Sequence, residues 1–229
     1  MPEAVLSEAQ LGIFEFARGC GLQTPSAEDI ARTLEDLRKV QGPALIIGGI
    51  AVIHHGYERF TKDIDILYNE YHDPRILERL APYFKVVLKA ASGWHHLEHR
   101  KTHVRLELVP EGGLGTYGFI PSAGHVRGEG GLVSLLGLVW LKMVSGRIQD
   151  EADVAVLAKA RMAEVSALGD QLPPELRERH AELVARAKRE LETDPNLHPE
   201  LGAPPVRPPG VQEEAARYGR RGKRARAKR

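Results

Sequence analysis

Cysteine is nearly absent from the chain: Cys20 stands alone in 229 residues, which excludes an internal disulfide and a thiolate zinc cluster. Long apolar runs are also missing. The longest, Leu132 to Val144, is interrupted by Ser134, Gly137 and Lys142, too short and too broken to form a transmembrane helix. Met1 to Gln10 carries two acids and no cationic segment, so it does not read as a secretory signal, and the expected location is cytoplasmic. No Gly-x-Ser-x-Gly, Walker or dinucleotide-binding glycine pattern occurs, which leaves hydrolase, P-loop and dehydrogenase readings without support.

What is present is ordinary for a globular protein, 42% apolar and 28% charged, but unevenly charged along its length. Arg217 to Arg229 holds eight Lys/Arg and no acid, which leaves 24 basic against 31 acidic residues in Met1 to Ala216. An acidic body thus carries a strongly basic end. Such a segment binds polyanions in a salt-dependent way, RNA among them; the alternative is a solubilising tail that docks on the protein's own acidic surface.

Four regions separate by composition: N-terminal helices over 1–40, a core over 41–128, a helical region over 129–194, and a Pro-rich linker with a disordered basic tail over 195–229. In the first, Leu11, Phe14 and Arg18 mark one helix face, and Ile30, Leu34 and Leu37 mark a second helix capped at Ser26. The core alternates short apolar runs with helical periodicity, which predicts a mixed α/β (α+β) sheet. Its expected strands are Ala44–Ile47, Ile64–Tyr68, Lys85–Lys89, His95–Arg100 and His103–Val109, with Lys101-Thr102 as a hairpin turn. Helices are expected over Leu132–Ser145, Asp150–Ala167 and Pro174–Glu192. Six prolines in Pro195 to Gly210 predict no packed structure there.

The chemistry concentrates in the core. Leu45-Ile46-Ile47-Gly48-Gly49 reads as a strand ending in two glycines before a helix, a turn that lets the backbone approach a phosphate. Fourteen residues after Gly49, Asp63 and Asp65 occupy alternate positions of a strand and so share one face, with Ile64 and Ile66 turned to the core. Like charges on one half-buried face repel, and a divalent cation neutralises them directly. Glu107, on a later strand, reaches water, pairs with Arg105, or joins the two aspartates around metal. Three carboxylates from two neighbouring strands would hold two Mg²⁺ ions for an in-line attack on a nucleotide α-phosphate. Lys142, the one charge in a buried-looking helix, needs a carboxylate or phosphate partner or an exit to water. Asp150 and Asp153 read as an N-cap and first-turn acids of the next helix. His95, His96, His99 and His103 read as surface strand histidines, and His54 and His55 as residues at a helix C-terminus.

The ordered set Gly48-Gly49-x-Ala51, Arg59-x-Thr61-x-Asp63-x-Asp65 and a later strand acid resembles the DNA polymerase β-like nucleotidyltransferase superfamily. The likeness is strongest to its small prokaryotic AbiEii-like members and spans roughly Ala44 to Leu157. It implies a nucleotidyltransferase-like mixed sheet flanked by helices and transfer of NMP from an NTP to an acceptor hydroxyl. In that resemblance Asp63, Asp65 and Glu107 are the catalytic and metal-binding acids, and Gly48, Gly49, Thr61, Lys62 and Lys142 contact the nucleotide. This sequence has Glu107 where such proteins usually carry Asp, so its carboxylate reaches one methylene further. The basic end tilts the acceptor toward RNA, with tRNA the obvious candidate, while a small molecule such as an aminoglycoside or a protein hydroxyl stays open; the resemblance to toxin-type members adds an antitoxin protein as a candidate partner. A non-catalytic nucleotide- or RNA-binding member of the same fold is the alternative.

Overall fold

The computed structural model describes residues 5–40 and 42–193. The expected Pro-rich linker and basic tail of 195–229 lie outside the described residues. Two helices open the chain, α1 (Glu8–Gly19) and α2 (Ala27–Val40). Ser7 caps α1 through a reciprocal pair of bonds with Gln10, and Ser26 exchanges the same kind of bonds with Asp29 at the start of α2. There follow β1 (Leu45–Ile47), α3 (Gly48–His54), β2 (Asp63–Tyr68), α4 (Ile76–Leu80), β3 (Phe84–Lys89), β4 (His95–His99) and β5 (Arg105–Pro110). A two-stranded hairpin, β6 (Leu114–Gly115) and β7 (Gly118–Phe119), leads into α5 (Ala123–Val126), α6 (Leu135–Ser145), α7 (Ile148–Ala160), α8 (Met162–Ala167) and α9 (Pro174–Thr193).

The main sheet is mixed, in the order β1-β2-β5-β4-β3, with β2 and β5 parallel and the other neighbours antiparallel. Strand alternation gives each face its own core. Ile46, Ile64, Ile66, Leu106 and Leu108 point to one face and pack with Phe14, Ile30, Leu34 and Leu37 of α1 and α2. The N-terminal helices therefore share a core with the sheet. On the opposite face Leu45, Ile47, Leu67 and Val109 pack with Leu138, Val139 and Met143 of α6 and Val154 and Leu157 of α7. Each such fully buried aliphatic side chain contributes about 1.5–3 kcal/mol.

The structure has the mixed α/β architecture expected, and its departures from the expected bounds have local causes. The fifth strand starts at Arg105, two residues late, because His103 sits at φ 59° in the turn after β4. The helix expected from Leu132 starts at Leu135: the Val133 N–H donates to the Ile46 carbonyl at 3.0 Å, and Ser134 caps α6 by accepting from the Gly137 N–H. The helix expected over Asp150–Ala167 begins at Ile148 and breaks at Arg161 (φ −136°, ψ 51°), which divides α7 from α8. Two of the expected surface histidines are core residues. His95 and His99 are 5% and 1% exposed. His99 lies 3.3 Å from Asp36 and 2.8 Å from Thr102, edge-on to Phe84. Among the described residues no helix is long and apolar enough to cross a membrane.

Candidate functional site

The apolar cover supplied by α6 and α7 ends over one row of the sheet, and that row is acidic. Asp65 on β2 is in register with Glu107 on β5, and Glu107 with His96 on β4. Strand alternation puts Asp63 on the same face, one step before Asp65. The Glu107 carboxylate lies 3.3 Å from His96 Nδ1, a partner the sequence did not single out. No ion pair with Arg105 accompanies it among the described residues. Burial, then the charges of Asp63 and Glu107, push the Asp65 carboxyl up to about 7, while Lys142 and Arg147 pull in the opposite direction.

The two glycines hold this row in place by what they lack. Gly48 sits at φ 62°, and a Cβ there would fall 1.7 Å from Asp65 Oδ2. The β1–α3 turn thus presses its backbone directly on the carboxylate. A Cβ on Gly49 would fall 2.6 Å from the Thr61 side chain. Thr61 is buried and its hydroxyl lies 3.0 Å from both the Asp63 carbonyl and Asp63 Oδ1. So Gly48 borders Asp65, whereas Gly49 and Thr61 interlock beneath it. Lys62 is exposed and does not line the cavity described next.

A cavity of about 430 Å³ opens above the row. Gly48, Asp65 and Glu107 form its floor, and Lys142, Ser145, Arg147 and Asp150 its charged wall. Trp94, Val109, Leu114 and Ile120 line its apolar part. This size lies within the range of small-molecule sites, about 300–1,000 Å³.

Lys142 is 6% exposed and finds carboxylate partners: Nζ is ion-paired with Asp150 and, at 2.8 Å, with Asp153. Arg59 also pairs with Asp153, and Ser145 and Arg147 bond Asp150, the latter at 2.6 Å. Asp150 and Asp153 are therefore buried members of an ionic network. The N-cap of α7 is Arg147, not Asp150; Asp150 is a first-turn acid, and Asp153 lies beyond the first turn. Burial works against ionising Asp150, but Lys142, Ser145 and Arg147 hold its carboxyl below the ordinary range. The sequence showed these charges; it did not show that Arg59, Lys142 and Arg147, from three segments, would converge on Asp150 and Asp153.

Among the described residues no three His, Cys, Asp or Glu side chains close into a finished metal-ligand cluster. The donor set nonetheless suits Mg²⁺, which is held by one or two carboxylates and completes its shell with water and substrate phosphate. Asp65 and Glu107, adjacent across the β2–β5 register and both lining the cavity, could hold such an ion, with Asp63 on the same strand face but outside the lining; a divalent cation would relieve the repulsion registered at Asp65.

No protein-family model matches the chain, and no curated protein matches it significantly.

Proposed function

We propose that the protein is a Mg²⁺-dependent nucleotidyltransferase of the cytoplasm, moving NMP from an NTP to an acceptor hydroxyl. One observation carries this reading: Asp65 and Glu107, adjacent carboxylates in the β2–β5 register, line a cavity that also bears Lys142 and Arg147. Asp63 and Asp65 would hold the metal and Glu107 would complete the set. Bound there, Mg²⁺ would supply electrostatic stabilisation of the charge on the transferring phosphate. The acceptor oxygen forms a bond to the α-phosphorus, the bond to the bridging oxygen breaks, and pyrophosphate leaves. Glu107 positions the acceptor hydroxyl and accepts its proton. Gly48 lets the backbone lie against Asp65 and fixes the direction of that carboxylate. Lys142, held by Asp150 and Asp153, offers the phosphates a fixed positive charge. RNA is the favoured acceptor, on the basic segment Arg217 to Arg229.

The test is to incubate pure protein with labelled NTPs, Mg²⁺ and total RNA. Label transfer is expected, and Asp65→Asn is expected to lower it at least about a hundredfold. Transfer that survives Asp65→Asn unchanged sinks the catalytic assignment.

A second reading draws on the saturation of Lys142 by two carboxylates, which leaves it less charge to offer a triphosphate. In this reading the chain binds nucleotide or RNA without turnover, as a sensor or as one half of a toxin–antitoxin pair. Calorimetry separates the two: NTP binding with no turnover against any acceptor favours the second.

A further inference from the structure

The cavity lining has a charged part and an apolar part, and the proposed reaction uses only the first. Asp65, Glu107, Lys142 and Arg147 are the charged groups. The apolar part includes the chain where β5 leaves the sheet. His95 pairs with Leu108 in the β4–β5 register, so continuing it by one residue sets Trp94 beside Val109 on the carboxylate face. Chain from the exit of β5 turns back here, through paired bonds between Gly112, Gly113 and Ile120, and brings Leu114 of the hairpin to the same wall.

Two of these apolar groups are exposed in a way the fold alone does not call for. Trp94 is 38% exposed and Leu114 77% exposed. Among the described residues no other ring stacks on the Trp94 indole. A half-open indole in a cavity that also bears Lys142 and Arg147 matches a ligand that is itself divided, with a flat heterocycle at one end and anionic groups at the other.

We propose that the apolar part is a nucleobase subsite in which Trp94 supplies the stacking face for the base of the incoming nucleotide. The inference rests on the nucleotide reading of the same cavity. Charge complementarity sets the orientation: the phosphates go to Lys142, Arg147 and the metal-holding acids, which leaves the base for Trp94, Leu114 and Ile120. Stacking is tolerant of base identity because every base has a π-face, so the subsite favours nucleotides over base-free phosphates more than one base over another.

The test compares ATP with inorganic tripolyphosphate by calorimetry in Mg²⁺, for the full chain and for Trp94→Ala and Trp94→Phe. Trp94→Ala is expected to weaken ATP about tenfold or more, the scale of one lost base–aromatic stack, while tripolyphosphate binding is held. Trp94→Phe keeps a ring and is expected to retain ATP affinity within about threefold, which also guards against a variant that simply fails to fold. An equal loss for both ligands, or no loss for either, overturns the subsite and leaves the nucleotidyltransferase reading standing. ATP binding that depends on Trp94 without transfer to any acceptor supports the subsite and retires the transfer reading. Wild-type protein that binds neither ligand overturns both.

Discussion

Two acidic clusters lie within one cavity, and burial acts on both in the same direction. Around Asp150 the neighbours are Lys142, Arg147 and Ser145, and the carboxyl is held below its ordinary range. Around Asp65 the nearest influences after burial are two further carboxylates, and it rises to about 7. Burial alone therefore does not distinguish structure from function; the sign of the company does. The compensated cluster links α6, α7 and the segment before β2 through matched charges. A cluster of like charges costs stability, and under the proposed function a cation would offset that cost.

The comparison breaks most severely if the compensated cluster is made to resemble the other. Lys142→Met keeps the length of the side chain but removes the buried ammonium that bridges Asp150 and Asp153, leaving each carboxylate with one arginine, Arg147 and Arg59. A loss of about 2–4 kcal/mol in urea unfolding is expected from breaking the buried network, since each carboxylate keeps an arginine. A loss under 1 kcal/mol would show that water reaches the pair. Gly48→Ala attacks the other cluster through its backbone. Alanine at φ 62° costs about 1–2 kcal/mol, and turning the Asp65 carboxylate aside does not clear the contact, because Asp65 Cβ itself is 2.9 Å from the new methyl. A total loss of about 2–4 kcal/mol in the same urea assay is expected, with metal binding weakened as well. Gly49→Ala is a control for packing, since its clash is with Thr61.

The sheet and the carboxylate row were legible in the sequence because both depend on a period of two. Once Ile64 and Ile66 are assigned to the core, Asp63 and Asp65 must share the other face, and the structure adds only that Glu107 stands in register with Asp65. Lys142 was legible as a charge needing a partner, but the partner was not. Asp153 is 11 residues away along the chain and Arg59 comes from before β2, so no local spacing brings them together. Trp94 and His96 were missed for a related reason. The histidine-rich strand drew attention to its imidazoles, while its register against β5, which places His96 on Glu107 and Trp94 beside Val109, is a tertiary fact. His95 and His99 looked like surface residues because polar type outweighed strand alternation, although the burial of β4 alternates strictly, with His95, Leu97 and His99 inside.

The mildest way to sharpen the comparison is to neutralise the cluster of like charges. With its carboxyl raised from 3.8 to about 7, Asp65 keeps its proton in the folded protein over an interval where the unfolded chain has lost it. The folded state then binds more protons, so this group's contribution to stability falls as pH rises from about 4 to about 7 and is level above that. Asp65→Asn removes the penalty. In metal-free buffer the variant is expected to melt at the same temperature as wild type near pH 4 and a few degrees higher at pH 8, the shift that about 1–2 kcal/mol produces in a chain of this length. Mg²⁺ is expected to reverse the order at pH 8, raising the melting temperature of wild type but not of Asp65→Asn. An Asp150→Asn control should move the other way, losing stability at pH 8, because there the charge is matched. If both variants lose stability alike, the two clusters are the same kind of object and the distinction drawn between them fails.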